Sequence, residues 1–226
     1  MLTAAHCITD DDLKSNINNL PVRLGEWNTD TDLDCETIEN RTSVCADHPY
    51  LDVGIEEVIR HPNYIYNGKA TKHDIALIRL DRYVNFTDLI YPVCLPVRQR
   101  LRDKTFIGER LDLVGWGITE TNKSSLVKRM EYIEGLSSKQ CREQYSKLNV
   151  KVKKYHICAG VKQGTHTCWG DSGGPLVSKQ VVDYHDVYVL AGILAFSNKP
   201  CGQDGWPNIY TRVSEYMDWI GDTLRA

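Results

Sequence analysis

Short apolar runs, set apart by turn-forming residues, recur along this chain and alternate with polar positions as half-buried β-strands require. The runs at 22–24, 53–59, 75–80, 111–115, 188–196 and 209–213 are predicted strands. The most apolar stretch, 187–196, reads as a buried strand, and it is well short of the roughly 20 apolar residues of a membrane-spanning helix. Two segments carry a helical pattern. Residues 137–147 are polar with little β-branching, while Val213, Met217, Ile220 and Leu224 share one helical face behind Ser214 as N-cap. The segment running from Cys94-Leu95-Pro96 through Phe106 is the expected crossing between two halves.

With 226 residues, 42% of them apolar and 25% charged, the chain can bury a proper core, as one large domain or two small fused barrels. A net charge of -3 with scattered Lys and Arg offers no basic stripe for phosphates, which argues against nucleic acid as a partner. The eight cysteines contain no C-x-x-C pair, so zinc and thioredoxin-like spacings are missing and disulfides are the better reading. The triplets Asn40-Arg41-Thr42, Asn85-Phe86-Thr87 and Asn122-Lys123-Ser124 are glycan acceptors of the secretory pathway and point to an extracellular protein. Met1-Leu2-Thr3-Ala4-Ala5 does not have the build of a signal peptide, so the expectation is of further chain upstream.

Amide hydrolysis by side chains alone needs an activated nucleophile, a base to take its proton and a group to orient that base. Ser172 lies in Gly170-Asp171-Ser172-Gly173-Gly174-Pro175, whose glycines permit a tight path that aims two N–H groups at one point. His6 lies in Leu2-Thr3-Ala4-Ala5-His6-Cys7, and Asp74 in His73-Asp74-Ile75-Ala76-Leu77-Ile78, both with apolar flanks. Each residue alone is weak evidence; three such motifs in the order His, Asp, Ser are not.

On these motifs the chain resembles the chymotrypsin-like serine proteases over essentially its whole length. The resemblance implies an all-β fold of two six-stranded antiparallel Greek-key barrels with the active site between them. Residues 1–100 would be the first barrel, short of its N-terminal strands, 101–213 the second, and 214–226 a C-terminal helix. It implies Ser172 as nucleophile, His6 as general base and then acid, Asp74 as the orienting carboxylate, and the N–H groups of Gly170 and Ser172 as the oxyanion hole.

A nearer resemblance is to the clip-domain proteases, carried by Arg23-Leu24-Gly25-Glu26-Trp27 with its acidic loop, by Pro92-Val93-Cys94-Leu95-Pro96, and by Cys201-Gly202 ahead of Gly205-Trp206-Pro207. It implies the pairs Cys35 with Cys45, Cys141 with Cys158 and Cys168 with Cys201. Cys7 and Cys94 would stay unpaired in this chain, their partners lying upstream, and Cys94 would tether a clip domain or light chain. The implied partners are a protein substrate, such as a zymogen or a cytokine-like precursor, and a serpin-type inhibitor. Catalysis needs no cofactor. The loop with Glu26, Asn28, Asp30, Asp32 and Asp34 is oxygen-rich enough for a structural calcium anchored on Glu26, the alternative being a solvated acidic loop.

Four residues depart from the trypsin-like pattern. His166 stands at the pocket floor where relatives carry Asp, Ala195 replaces the serine that supports the triad aspartate, and Ser197 and Asn208 replace wall glycines. Thr167, Trp169 and Phe196 complete the expected pocket. Without a carboxylate the floor has nothing to offset the desolvation of a Lys or Arg side chain, so a smaller residue is expected before the scissile bond, unless Asp183 or Asp186 supplies the charge. In this family Asp171 receives a new N-terminal ammonium on activation, so the chain as it stands is expected to be zymogen-like or poorly folded. The competing reading is a catalytically impaired homologue that binds or regulates a partner; a cysteine-stapled structural module leaves the three ordered motifs unexplained.

Overall fold

A computed structural model describes residues 1–11, 20–36, 44–46, 49–65, 72–118, 123–160, 171–198 and 206–224. The first half contributes β1 (Leu2–Thr3), β2 (Val22–Leu24), β3 (Cys35–Glu36), β4 (Val44–Cys45), β5 (Leu51–Val53), β6 (Ile55–Arg60) and β7 (Ala76–Leu80). Among the described residues these form separate antiparallel sheets, β1-β7-β6, β2-β5 and β3-β4, and not a closed barrel. The second half contributes β8 (Arg110–Gly115), β9 (Arg129–Leu136), β10 (His156–Gly160), β11 (Pro175–Val182), β12 (His185–Phe196) and β13 (Asn208–Arg212). These close into an antiparallel barrel in the order β10-β13-β12-β11-β8-β9. The crossing between halves contains one helical turn, α1 (Gln99–Arg102), anchored by buried Leu101.

The run predicted as a strand buried on both faces is the middle of β12. Ala191 and Leu194 face the barrel interior with Leu111, Ile133, Ile157 and Leu176, while Leu190 and Ile193 face a second cluster outside it. That cluster joins Ala4 and Ile75 of the first half to Val213, Tyr216, Met217 and Ile220 at the C-terminus. Two apolar faces on one strand explain a run without alternation.

Both helical expectations need adjustment at their ends. Helix α2 (Ser138–Tyr145) starts at Ser137, whose hydroxyl accepts the Gln140 N–H while the Gln140 side chain takes the Ser137 N–H, a reciprocal capping box. At the C-terminus Ser214 is not the N-cap. Residues Val213–Tyr216 wind as a 3-10 turn and α3 (Met217–Thr223) follows. The three-residue turn sets Val213 and Tyr216 on one face, both buried, whereas Leu224 leaves the helix axis and is 58% exposed. Cys35 and Cys45 are bridged across β3 and β4, Cys141 and Cys158 tie α2 to β10, and Cys7 and Cys94 are free and exposed.

Leu111 has no exposed surface at the barrel centre. Leu111→Ala is expected to cost about 2–5 kcal/mol, and Ser137→Ala about 1 kcal/mol through loss of the cap, both measured by urea unfolding.

Candidate active site

Pairing of β1 with β7 sets Leu2 opposite Leu77 and Thr3 opposite Ala76. His6, in the 3-10 turn Ala5–Cys7, and Asp74, just ahead of β7, therefore arrive at the same end of one sheet. The His6 backbone N–H donates to Asp74 Oδ1 at 2.9 Å, and ring Nδ1 lies 2.8 Å from Oδ2. A carboxylate can only accept, so Nδ1 carries the proton and Nε2 faces away from Asp74. The Asp74 side chain is 2% exposed and that of His6 23%. Thr211 of β13 donates its hydroxyl to the Asp74 carbonyl at 2.8 Å, fastening the loop to the barrel. Nothing in the sequence singles out Thr211, because its partner lies in the other half.

The hydrogen bond from Asp74, and after it the Cys7 thiol 3.7 Å from Nε2, favour the imidazolium and lift the His6 pKa to about 10 against a smaller desolvation effect. This is the principal electrostatic feature of the site, since a general base must be neutral to accept a proton.

Ser172 is exposed in the tight turn ahead of β11. The Gly173 N–H donates to the Leu194 carbonyl at 2.9 Å, the Leu194 N–H to the Gly174 carbonyl at 2.9 Å, and the Gly174 N–H to the Asp171 carbonyl at 2.8 Å. Gly173 has a φ of 79°, and a Cβ there would fall 2.4 Å from Thr3 Oγ1 and 3.0 Å from Cys7 Sγ. Glycine is thus required by backbone and by space. The same close approach seats the Ser172 turn on the His6 turn. The described hydrogen bonds of the His6 ring go to Asp74 and Cys7, so Nε2 must exchange the thiol for the Ser172 hydroxyl to complete a triad.

Asp171 turns inward. Its carboxylate accepts the Gly117 N–H at 2.9 Å and lies so close to Gly115 and Gly117 that a Cβ on either would come within 1.9 and 2.2 Å of its oxygens. Burial pushes the Asp171 pKa up and the Gly117 hydrogen bond partly opposes this.

Ala195 and Phe196 end β12, Ser197 follows, and Asn208 opens β13 with Phe196 opposite Ile209. Asn208 is 6% exposed and its Nδ2 donates to the Tyr210 hydroxyl at 3.4 Å. Tyr145 of α2 stands edge-on to Phe196 and Trp206 and donates to the Pro207 carbonyl. His166, Thr167, Cys168, Trp169, Gly170 and Cys201 lie outside the described residues, as do Asn40 and Asn122, whereas Asn85 is exposed. Asp183 pairs with Arg98 and Asp186 with Lys179 at the far end of the β11–β12 hairpin. At about 3.3 Å per residue Asp186 is about 30 Å along β12 from Ala195, too far to supply a carboxylate to a pocket there.

The acidic loop has its own partners. Glu26, 6% exposed, accepts from the Trp27 N–H at 3.0 Å and from Arg23 at 3.3 Å. Asp34 accepts from the N–H groups of Trp27 and Asn28 and from the Thr31 hydroxyl. The Lys128 ammonium donates to the Glu26 carbonyl at 3.0 Å. The Glu26 and Asp34 carboxylates, already served by protein donors and with the Lys128 ammonium beside them, do not fit a calcium ion anchored on Glu26. Among the described residues no group of three or more His, Cys, Asp or Glu side chains is arranged to hold a metal.

Comparison with known proteins places this geometry. The Trypsin family model matches residues 1–220. The chain is 41% identical over 226 residues to Serine protease ea of Drosophila melanogaster, covering all of this chain and 57% of that one. It is 41% identical over 225 residues to Phenoloxidase-activating factor 1 of Holotrichia diomphalia, covering 59% of it, and 40% identical over 225 residues to the Spaetzle-processing enzyme of Drosophila melanogaster, covering 56% of it. These alignments take in 100% and 99% of this chain respectively, so the chain spans a little over half the length of the curated relatives it matches. Among solved structures it superposes on the Drosophila Grass clip serine protease of the Toll pathway with a TM-score of 0.81 at 35% identity, covering 98% of this chain and 60% of that one. It superposes on neuropsin of mouse brain with a TM-score of 0.75 at 28% identity, covering 99% and 84%. A family match from residue 1 to residue 220, over a fold that brings His6, Asp74 and the Ser172 turn to one place, establishes that the chain belongs to the trypsin family of serine proteases and is similar to its clip-domain members.

Proposed function

We propose that this domain is a serine endopeptidase acting in an extracellular proteolytic cascade. The observation that carries the reading is the buried Asp74 carboxylate, doubly hydrogen-bonded to His6, with the Ser172 turn packed against the His6 turn. Ser172 Oγ attacks the scissile carbonyl while His6 Nε2 takes its proton and then delivers it to the leaving amine. Asp74 holds the Nδ1–H tautomer and stabilises the imidazolium. The N–H groups of Gly170 and Ser172 receive the oxyanion; one such donor is worth about 10²–10³ in rate. No cofactor enters these steps.

Two relatives are named for activating phenoloxidase and for processing Spaetzle. The substrate class is therefore a protein precursor, opened at one exposed bond. A serpin-type inhibitor fits a nucleophile of this kind, and the exposed Cys94 thiol is the attachment point for a clip domain or light chain. Exported disulfide chemistry and an exposed acceptor at Asn85 support secretion. A second reading, a catalytically impaired regulator, draws on one feature: His6 is charged at neutral pH and its Nε2 faces Cys7. On either reading the resting domain is a weak enzyme until His6 is released from the thiol.

Fluorophosphonate labelling at Ser172 tests the function. In the activated full-length protein labelling is expected, slowed by about 10⁴ in Asp74→Asn and absent in Ser172→Ala, whereas the chain as it stands is expected to label poorly. Stoichiometric labelling of that chain would overturn the zymogen-like expectation, and an activated protein that never labels would favour the regulator. The pH dependence follows from the raised His6 pKa. The His6–Asp74 pair contributes stability fully below pH 6.5 and loses it as pH rises through about 10. Neutral base grows over the same range, so the labelling rate is expected to climb about tenfold per pH unit above pH 7. Asp74→Asn moves the rise down toward 6.5.

The pocket reading predicts a small or medium residue before the scissile bond, measured on a peptide library. A hundredfold preference for Arg or Lys would show that another group supplies the missing carboxylate. Calcium is expected to leave the thermal midpoint unchanged, since Arg23 and Lys128 already serve the acidic loop. A midpoint that rises with calcium and falls with chelator would overturn that.

A further inference from the structure

His73, directly before Asp74, and His61, just after β6, are stacked face to face, with centroids 4.2 Å apart and planes within 8°. Tyr216 stands edge-on to both rings, at 5.5 Å from His61 and 5.8 Å from His73, and Trp219 of α3 lies 4.9 Å from His61. His73 has a φ of 64°, in the left-handed region that a non-glycine residue rarely adopts. Its backbone is held on both sides: the N–H donates to the Tyr216 hydroxyl at 3.0 Å, and the carbonyl accepts the Ile75 N–H at 2.8 Å. The His61 N–H donates to the Ile75 carbonyl at 3.0 Å, so the two stacked residues grip the ends of the segment that carries Asp74. The Nδ1 atom of His73 is buried without a hydrogen-bond partner among the described residues.

We propose that the stacked His61–His73 pair is a positioning element for the Asp74 carboxylate that works only while both rings are neutral, so that acidification unstacks the pair and draws Asp74 away from His6. The inference rests on the reading of Asp74 as the group that orients His6.

Two flat imidazoles in van der Waals contact tolerate no charge. A proton on either ring is stripped of water at the buried face, and protons on both repel at 4.2 Å. Every neighbouring group is placed to favour the neutral pair or is already engaged. Lys72 adds a positive charge beside both rings, and its ammonium lies over the Tyr155 ring. Asp74, the residue after His73, is taken by His6, and Glu215 by Lys154. Arg60 pairs with Asp10, and on α3 Asp218 pairs with Arg102 while Asp222 is exposed. Tyr216 and Tyr155 are both held above their usual range by burial and stay neutral. Accordingly His61 is held below 6.5 by burial and then by Lys72, and His73 is pulled down to about 4 by burial, then by His61 and Lys72.

The sign follows. A histidine whose folded pKa is depressed stabilises the fold above its ordinary value of 6.5, and that contribution is lost as pH falls toward 4, one proton costing a factor of ten per pH unit. Below about 4 the loss is complete. His73 has to leave its left-handed turn to reach water, and Asp74 is the next residue.

The test uses full-length protein with wild type, His61→Phe, which keeps a flat ring that cannot titrate, and His73→Asn, a residue that tolerates the left-handed region. NMR follows the His61 and His73 imidazole resonances and the low-field Nδ1 proton of His6, which reports its bond to Asp74 without any need for activity. In the wild type the two imidazoles are expected to titrate together below 6.5, and the His6 signal to vanish in step with them. In both variants that signal should persist to lower pH. Fluorophosphonate labelling should fall more steeply than tenfold per unit below about pH 5 in the wild type, and closer to tenfold per unit in the variants, where one ring of the pair can no longer take a proton. Independent titration of His61 and His73 near 6.5, or a His6 proton unaffected by their titration, would overturn the proposal. Absence of labelling at every pH would count against the enzyme reading, and the NMR result would still decide the role of the pair.

Discussion

Ala4 and Ile75, neither with exposed surface, pack against Ile193, Val213, Tyr216, Met217 and Ile220, and this apolar seam is what brings the two halves of the chain together. Burying a side chain the size of isoleucine is worth about 1.5–3 kcal/mol, and the residues on either side of the seam carry the site. Ala4 lies two residues before His6 and Ile75 one after Asp74. Ile193 precedes Leu194, whose backbone pins the Ser172 turn. Weakening this contact would loosen the hold of the His6 and Asp74 turns on the closed barrel that carries the Ser172 turn.

Within that frame the polar groups are arranged by what burial allows. Asp74 can be 2% exposed because His6 supplies two donors and Thr211 secures its backbone. An Ala at 195 brings no hydroxyl, so orientation of the carboxylate falls to the residues that hold its loop, and the His61–His73 stack is the most specific of these. Asp171 is the complementary case: one N–H from Gly117 offsets part of its desolvation, and its pKa rises as a result.

A second link between halves is cationic. The Lys128 ammonium is 5.5 Å from the ring centre of Trp27 and 5.5 Å from that of Trp116, and Trp116 Nε1 donates to the Trp27 carbonyl at 3.2 Å. Asn28 and Val127 form an isolated bridge beside them. The acidic loop is therefore organised by protein cations and by its own N–H groups, and it doubles as a clamp on the β8–β9 connection.

Local pattern in the sequence determined the strand-rich class, the apolar run that becomes β12, the helical segment after Ser137, and the three motifs that single out His6, Asp74 and Ser172. These features depend on neighbours within a few residues, so a linear reading finds them. Strand β9 escaped it because Arg129, Glu131 and Glu134 mask the alternation that places only Ile133 and Gly135 inward, and the polar middle of β11, Ser178, Lys179 and Gln180, hid that strand in the same way. The 3-10 start at Val213 was set by the need to bury Tyr216 against His73, a contact across most of the chain. Tertiary structure alone decided that Lys128 reaches the acidic loop, that Thr211 reaches Asp74, and that two histidines twelve positions apart stack beside the Asp74 segment. The reason is physical: a pattern of polar and apolar residues specifies which face turns inward, while the pairing of particular polar groups depends on distances that exist only once the faces have met.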